Sequence, residues 1–289
     1  MRWDQGHESE DVEDRRDEGG MSPMSVGGGF GGMRVGFGGL LVLGVLSLIF
    51  KTDLLSPFLG GGGAPVATRS SPRPHTAEEE TLKQFVSFVL DDAQNTWTKL
   101  LPEQQGVAYR RAHLVLFRDA IRSGCGDAES AMGPFYCPAD ERVYIDLNFY
   151  DELKRKFGAP GDFAQAYVIT HELGHHVQNI LGIERKVRMA QQQNPRAEKQ
   201  LSVLMELQAD CFAGIWANST SQRKLLEAGD VEEALGAASA VGDDHIQQMS
   251  TGRVHPESFT HGSSAQRKEW FSRGMQNGSV SACNTFATN

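Results

Sequence analysis

The stretch His171-Glu172-Leu173-Gly174-His175 decides how this sequence folds around a site. In a helix, residues four positions apart lie on one face, so the two imidazole rings can reach a single metal ion. Two histidines at this spacing, with a glutamate beside the first, are typical of a zinc site and its general base. We therefore predict His171 and His175 as zinc ligands and Glu172 as the base. A motif of this length also arises by chance, so the rest of the chain has to support it.

The residues around the motif predict the helix that it needs. Asp162 and Gln165 have the spacing of a capping box at a helix start, and Gly182 offers a stop. We therefore expect one helix that begins near Asp162, carries both histidines and ends before Gly182. Its apolar residues recur with a helical period at Phe163, Ala166, Tyr167, Leu173, Val177 and Leu181.

A third metal ligand is still missing, because a catalytic zinc usually has three protein ligands and a water. A histidine at position 181 would be one solution, but the chain has Leu181 there. A second helical pattern follows Asn194, and Glu206 and Asp210 lie one turn apart within it. We expect Glu206 to bind the metal and Asp210 to accept the free ring N–H of one histidine, which fixes the tautomer of that ring. The alternative is a solvated acidic helix face, which the upstream histidine motif disfavours.

From Thr76 onward the pattern is that of a folded domain. Thr76 and Glu79 form a second capping box before a long helical pattern. We expect an α+β fold that is mainly helical, with a small antiparallel sheet or hairpin, preceded by one transmembrane helix. The predicted strands are His113–Phe117, Gly133–Cys137 and Arg142–Asp146, of which the last two form the hairpin, and a helix is predicted at Asn148–Phe157.

The first 75 residues have a different composition. Residues 1–33 contain almost no large aliphatic side chains, so we expect a disordered leader. Val35–Phe50 is the one strongly apolar run, and it predicts a transmembrane anchor at 34–59. A Gly/Pro/Ser linker at 60–75 and the folded domain at 76–289 would follow. The run is short for a membrane span, and a buried core helix and a cleaved signal peptide are the alternatives.

Positive charges beside the apolar run predict its orientation. Arg15, Arg16 and Arg34 precede the run, and only Lys51 follows it closely. Since positive charges favour the cytoplasmic side, we expect a single-pass protein with a cytoplasmic N-terminus and a folded domain outside the cytoplasm.

The net charge of the 289 residues excludes one class of partner. The charge is −9, and no basic stripe is present that could neutralise a phosphate backbone. We therefore expect no nucleic acid among the partners.

The chain contains four cysteines, Cys125, Cys137, Cys211 and Cys283, and all follow the apolar run. An even number in an exported segment predicts two disulfides, although buried thiols are the alternative. Three pairings are arithmetically open. We expect Cys125 with Cys137, because these two enclose a short glycine-rich loop, and consequently Cys211 with Cys283.

Short segments along nearly the whole chain agree, in order, with the motifs of one protein family. They are Met1-Arg-Trp3, Val12–Arg16, Cys125-Gly126, Gly133–Pro138, His171–Gln178, Glu206–Cys211, Phe259–Gly262, Gln266-Arg267 and Cys283–Phe286. On these residues the sequence resembles the bacterial family of neutral zinc metallopeptidases, which are single-pass membrane proteins of the glutamate-zincin type. The resemblance implies a zincin-like metallopeptidase fold and a zinc-dependent peptidase of the bacterial inner membrane with a periplasmic or extracytoplasmic catalytic domain.

The predicted chemistry is metal-assisted hydrolysis of a peptide bond in a peptide or protein substrate. One Zn²⁺ per chain lowers the pKa of a water, and Glu172 takes the proton and later returns it to the leaving amine. His261 is the first choice for a donor to the oxyanion, ahead of Tyr144 and Tyr150. His176 points away from His175, and we expect it on a second face or on the surface.

Two rival functions remain open. One is a membrane-tethered binding protein that is inactive or whose zinc is structural; it is disfavoured because Glu172 is present and structural zinc sites usually have four protein ligands. The other is a zinc hydrolase of a non-peptide amide, which uses the same metal chemistry.

Overall fold

The computed structural model describes residues 1–18 and 74–287. Helices dominate and the strands are short, in agreement with the expected α+β class. The elements in chain order are strand β1 (Val12–Asp14), helix α1 (Ala77–Gln105), strands β2 (His113–Phe117), β3 (Ala120–Ser123), β4 (Gly126–Glu129), β5 (Phe135–Cys137) and β6 (Arg142–Asp146), and helices α2 (Asn148–Arg155), α3 (Asp162–Ile180), α4 (Ile183–Gln193), α5 (Glu198–Gln222), α6 (Asp230–Ala240), α7 (Asp243–Thr251) and α8 (Ser264–Asn277).

Four of the strands form a mixed sheet in the order β1-β2-β6-β5. The pairs β1–β2 and β2–β6 are parallel, whereas β5 and β6 form an antiparallel hairpin. Strands β3 and β4 form a separate antiparallel pair. The predicted hairpin is therefore confirmed, but it belongs to a mixed sheet, because β2 pairs in parallel with both β1 and β6.

The predicted disorder of the leader is wrong for residues 1–18. Strand β1 pairs with β2, the Met1 side chain lies in the main core, and the Trp3 ring packs edge-on against an aromatic ring of α1. The Arg16 side chain is buried and forms an ion pair with Glu80 at 2.8 Å. Composition misleads here because it counts only the apolar residues inside the segment, whereas this segment is buried against the domain.

This N-terminal strand also corrects the predicted membrane arrangement. Strands of one hydrogen-bonded sheet lie on the same side of a bilayer, so residues 1–18 and the folded domain are not separated by a membrane. Residues 19–33 of the leader, the apolar run, the anchor at 34–59 and residues 60–73 of the linker lie outside the described residues. Attachment of the apolar run to a membrane stays a prediction, but a single pass that separates residues 1–18 from the domain is not compatible with the shared sheet. Within residues 1–18 and 74–287, no helix is long and apolar enough to span a membrane.

The two helix starts predicted from capping boxes have different outcomes. At α1 the box forms, since Thr76 Oγ1 accepts from the Glu79 amide at 3.1 Å and Glu79 Oε2 accepts from the Thr76 amide at 2.8 Å. At α3 it does not form, because Asp162 is the first helical residue and its carboxylate binds the Met1 amino group at 2.8 Å. Helix α3 ends at Ile180, just before the predicted stop.

Helices α3 and α5 lie side by side and support the site. The Phe163 ring of α3 stacks on the Trp216 ring of α5 with centroids 5.3 Å apart. Gly174 permits the close approach, because a Cβ there would lie 2.9 Å from the Ala209 carbonyl oxygen. The close packing of the two helices brings the turn of α5 that contains Glu206 beside His171 and His175 of α3.

Both predicted disulfides are confirmed. Cys125 pairs with Cys137 and Cys211 pairs with Cys283. The first bond connects the β3–β4 hairpin to β5, and the second connects α5 to the C-terminal turn.

Candidate active site

His171 and His175 on α3 face Glu206 on α5. The Nε2 atom of His171 lies 3.2 Å from Glu206 Oε2, and the Nε2 atom of His175 lies 3.5 Å from Glu206 Oε1. Ligand atoms of the three residues all lie within 4.8 Å of one another. Two imidazole nitrogens and one carboxylate oxygen are a donor set that suits zinc. The structure thus brings the three predicted ligands together, and the residues fit the metal.

Glu172 lies beside these three side chains and lines the same cleft. Glu172 is only 8% exposed, and this burial raises the pKa of its carboxyl above the ordinary value. In the metal-free site, burial thus favours the protonated form of Glu172.

Asp210 is fully buried behind His171. Its Oδ1 atom accepts a hydrogen bond from His171 Nδ1 at 2.8 Å and another from the Tyr167 hydroxyl. Burial acts to raise the pKa of Asp210, but the charges of Arg267 and His171 hold it below its usual value, so the carboxylate is ionised. The Nδ1 atom of His171 is therefore the protonated one, and its Nε2 atom faces Glu206. The structure places Asp210 where it was predicted.

A cleft of about 650 Å³ contains these residues. Strand β5 and helices α2, α3, α4, α5, α7 and α8 contribute to its walls. Much of the wall is apolar, and charged side chains stand among the apolar ones. The apolar contributors include Met132, Phe135, Phe149, Phe157, Val168 and Ile246.

Comparison with known proteins identifies the relatives of this chain. The family described as "putative neutral zinc metallopeptidase" matches residues 1–286. The chain belongs to this family. It is 50% identical over 289 residues to the uncharacterized protein YpfJ of Escherichia coli (strain K12), with 99% of each chain covered. It is 45% identical over 202 residues to the uncharacterized protein Rv2575 of Mycobacterium tuberculosis (strain H37Rv), with 66% of each chain covered. No solved structure matches.

Gln178 supports the second histidine of this family member, and sequence reasoning missed it. Its side chain is buried, and its Nε2 atom donates to the Met205 carbonyl at 2.8 Å and to Gln208 Oε1 at 3.1 Å. Its Oε1 atom lies 2.9 Å from His175 Nδ1 and accepts that proton. Gln178 therefore orients His175 as Asp210 orients His171. Its position three residues after His175, on the same helix face, could have indicated this.

Arg267 is a second buried residue that sequence reasoning did not assign to the site. It is 3% exposed, and its guanidinium forms two hydrogen bonds to Asp210, from Nε at 2.8 Å and from Nη2 at 2.9 Å. Arg267 lies 57 residues beyond Asp210 in the chain, so no local pattern connects the two.

His261 lines the cleft, as its predicted role requires. Its Nδ1 atom lies 3.2 Å from Asp243 Oδ1, and the backbone amides of Thr260 and His261 donate to Asp243 Oδ2 at 2.7 and 2.6 Å. Burial acts to lower the pKa of His261, but Asp243 and Glu206 raise it above its usual value, which favours a ring that donates from both nitrogens. Its side chain is 39% exposed and thus accessible to a ligand.

The two weaker choices for this donor are not in the cleft that the described residues form. The Tyr144 hydroxyl donates to Asp140 at 2.7 Å, and Tyr150 is buried in the main core. His176 lies on a second face of α3, as expected, but it is fully buried rather than on the surface. Its ring contacts the Tyr136 hydroxyl at 2.9 Å and thereby links α3 to β5.

Proposed function

We propose that this family member is a metallopeptidase that hydrolyses peptide bonds in peptide or protein substrates and uses one zinc ion per chain. His171, His175 and Glu206 would hold the ion. The observation that carries the proposal is the convergence of these three donors within 4.8 Å in a cleft that Glu172 also lines. Three protein donors are the number typical of a catalytic zinc, and the cleft beside them has a volume of about 650 Å³.

Bound zinc would supply a Lewis acid and lower the pKa of a water. Glu172 accepts the proton of the attacking water on its carboxylate and returns it to the leaving amine, a role that its place in the cleft beside the three donors supports. His261 donates a hydrogen bond from its Nε2 atom to the oxygen of the scissile carbonyl, where negative charge develops. Asp243 supports this role because it holds the other ring nitrogen at 3.2 Å.

We further propose a location at the bacterial inner membrane, with the catalytic domain outside the cytoplasm. Two disulfides support an oxidising compartment. The sheet that β1 shares with β2 then requires residues 1–18 to lie outside as well.

The two rival functions have no observation of their own in their favour. A structural zinc usually has four protein ligands, whereas the described side chains converge here as three. A hydrolase of a non-peptide amide would use the same residues, so a substrate panel has to separate it from a peptidase.

The test uses the full-length protein, loaded with zinc and incubated with a peptide library and with non-peptide amides, with and without a chelator. We expect chelator-sensitive cleavage of peptides. Glu172→Gln should keep stoichiometric zinc and lose at least about 10²-fold in turnover, whereas Glu206→Ala should lose the metal at trace zinc concentrations. If the zinc-loaded wild type cleaves non-peptide amides but no peptide, the rival function of a non-peptide amide hydrolase replaces the proposed one. Retained activity of Glu172→Gln would overturn the mechanism.

A further inference from the structure

Arg267 lines the floor of the cleft with a side chain that is less exposed than those of the three predicted metal ligands, and it contacts two of them. Its Nη2 atom lies 3.3 and 3.4 Å from the two ring nitrogens of His171 and 3.8 Å from Glu206 Oε2. Its Nη1 atom donates to the Val241 carbonyl at 3.2 Å. With Nε and Nη2 both bound to Asp210, the guanidinium is fixed on three sides.

The two Asp210 oxygens depend on Arg267 to different degrees. Oδ1 accepts from His171, from Tyr167 and from Arg267 Nη2, whereas Oδ2 accepts from Arg267 Nε at 2.8 Å. A guanidinium that binds both oxygens of a carboxylate fixes the plane of that carboxylate. Without it, Asp210 would keep a buried negative charge and lose the donor to Oδ2, a situation that favours rotation or protonation of the group.

We propose that Arg267 is a positioning residue of the metal site. Its guanidinium holds Asp210 in the orientation in which Asp210 accepts the Nδ1 proton of His171, and this leaves the Nε2 atom of His171 for the metal. The inference rests on the zinc site of the proposed function and assigns a role to a residue that supports one of its ligands through Asp210. Because Arg267 acts through Asp210, its loss is expected to weaken metal binding and not only folding.

A purely structural ion pair is the competing explanation, and a second buried arginine provides the matched control. Arg16 is also 3% exposed and forms ion pairs with Asp14 at 2.6 Å and with Glu80 at 2.8 Å. Neither of these partners lines the cleft. Arg16→Ala should therefore lower the melting temperature and leave the zinc affinity unchanged.

The experiment measures zinc affinity by chelator competition and the melting temperature of the metal-free protein. It uses the full-length wild type, Arg267→Ala, Arg267→Lys, Asp210→Asn, the double variant of Arg267→Ala with Asp210→Asn, and Arg16→Ala as the control. We expect Arg267→Ala to bind zinc about 10 to 100-fold more weakly, the usual effect of losing support behind a ligand. Arg267→Lys keeps the positive charge but lacks the planar guanidinium that binds both carboxylate oxygens. It should therefore recover the melting temperature without recovering the zinc affinity. The double variant should bind zinc no more weakly than Asp210→Asn, because the two residues act in series.

Wild-type zinc affinity in both Arg267 variants would overturn the inference and leave the proposed function intact. Full affinity in Arg267→Lys alone would also overturn it, since charge and not orientation would then be the cause. Multiplied losses in the double variant would show that Arg267 does not act through Asp210. A wild type that binds no zinc would instead refute the proposed function itself.

Discussion

The packing of α8 on α5 places Arg267 beside Asp210, and Gly274→Ala tests how much of the site depends on it. A Cβ at Gly274 would lie 1.9 Å from the Cys211 carbonyl oxygen, and real Cβ atoms essentially never come closer than 3.0 Å to such an atom. Since the obstacle is backbone, no side chain can yield. The two helices would have to separate by about 1 Å, right next to Asp210.

The magnitude follows from two opposing effects. Alanine gains about 1 kcal/mol over glycine in an exposed helix interior. Overpacking costs typically about 1 to 3 kcal/mol, and a clash with rigid backbone belongs at the upper end of this range. We expect a net loss of about 2 kcal/mol, which corresponds to a melting temperature lowered by roughly 4 to 8 °C for a domain of this size. A shift of about 1 Å exceeds the roughly 0.5 Å that a preorganised site tolerates, so zinc affinity should fall about 10-fold or more.

Gly236→Ala is the matched control, because nothing lies within 4 Å of a Cβ at that position in α6. It should leave zinc affinity unchanged and stabilise the protein by up to about 1 kcal/mol. Thermal unfolding of the metal-free protein and chelator competition on the same preparations measure both quantities. If Gly274→Ala behaves like Gly236→Ala in both assays, the argument from close helix packing is refuted.

Three further predictions concern other parts of the molecule. His261→Ala should lower kcat by roughly 10² to 10³ at full zinc occupancy with KM nearly unchanged, and a normal kcat would remove His261 from the mechanism. Replacing both Cys211 and Cys283, which lie 72 residues apart, with serine should reduce the free energy of unfolding by about 4.4 kcal/mol. The same change at Cys125 and Cys137, which lie 12 residues apart, should reduce it by about 2.8 kcal/mol. Urea unfolding measures both losses, and the reverse order would contradict loop closure as the cause. Glu8→Cys and Lys268→Cys should react equally with a membrane-impermeant maleimide in whole cells, and labelling of only one would show that leader and domain lie on opposite sides.

The sequence was sufficient to predict the parts of the site that depend on helical spacing. His171 and His175 are one turn apart on α3, and Glu206 and Asp210 are one turn apart on α5. Each pair shares a face in any regular helix, whatever the rest of the fold is. The meeting of the two pairs was an inference from the chemistry of zinc, which needs a third ligand.

The supporting side chains were not predictable in the same way. Arg267 meets Asp210 only because α8 packs on α5, and that contact is determined by the tertiary structure. The position of Gln178 on the helix face of His175 could have indicated its role, but its partners Met205 and Gln208 lie on α5 and were not predictable from the spacing. Similarly, β1 was missed because its burial depends on β2, which lies about 100 residues further along the chain.

The shared sheet also changes what the charges near the apolar run can indicate. The positive-inside rule assigns Arg15 and Arg16 to the cytoplasmic side of a single span. Residues 1–18 fold onto the domain, so these two arginines lie on the domain's side and no longer distinguish the two ends of the apolar run. The disulfides do not have this ambiguity, because both lie within the folded domain and an oxidising compartment favours them wherever the anchor lies. The compartment of the leader is therefore better inferred from the cysteines of the domain than from the leader's own arginines.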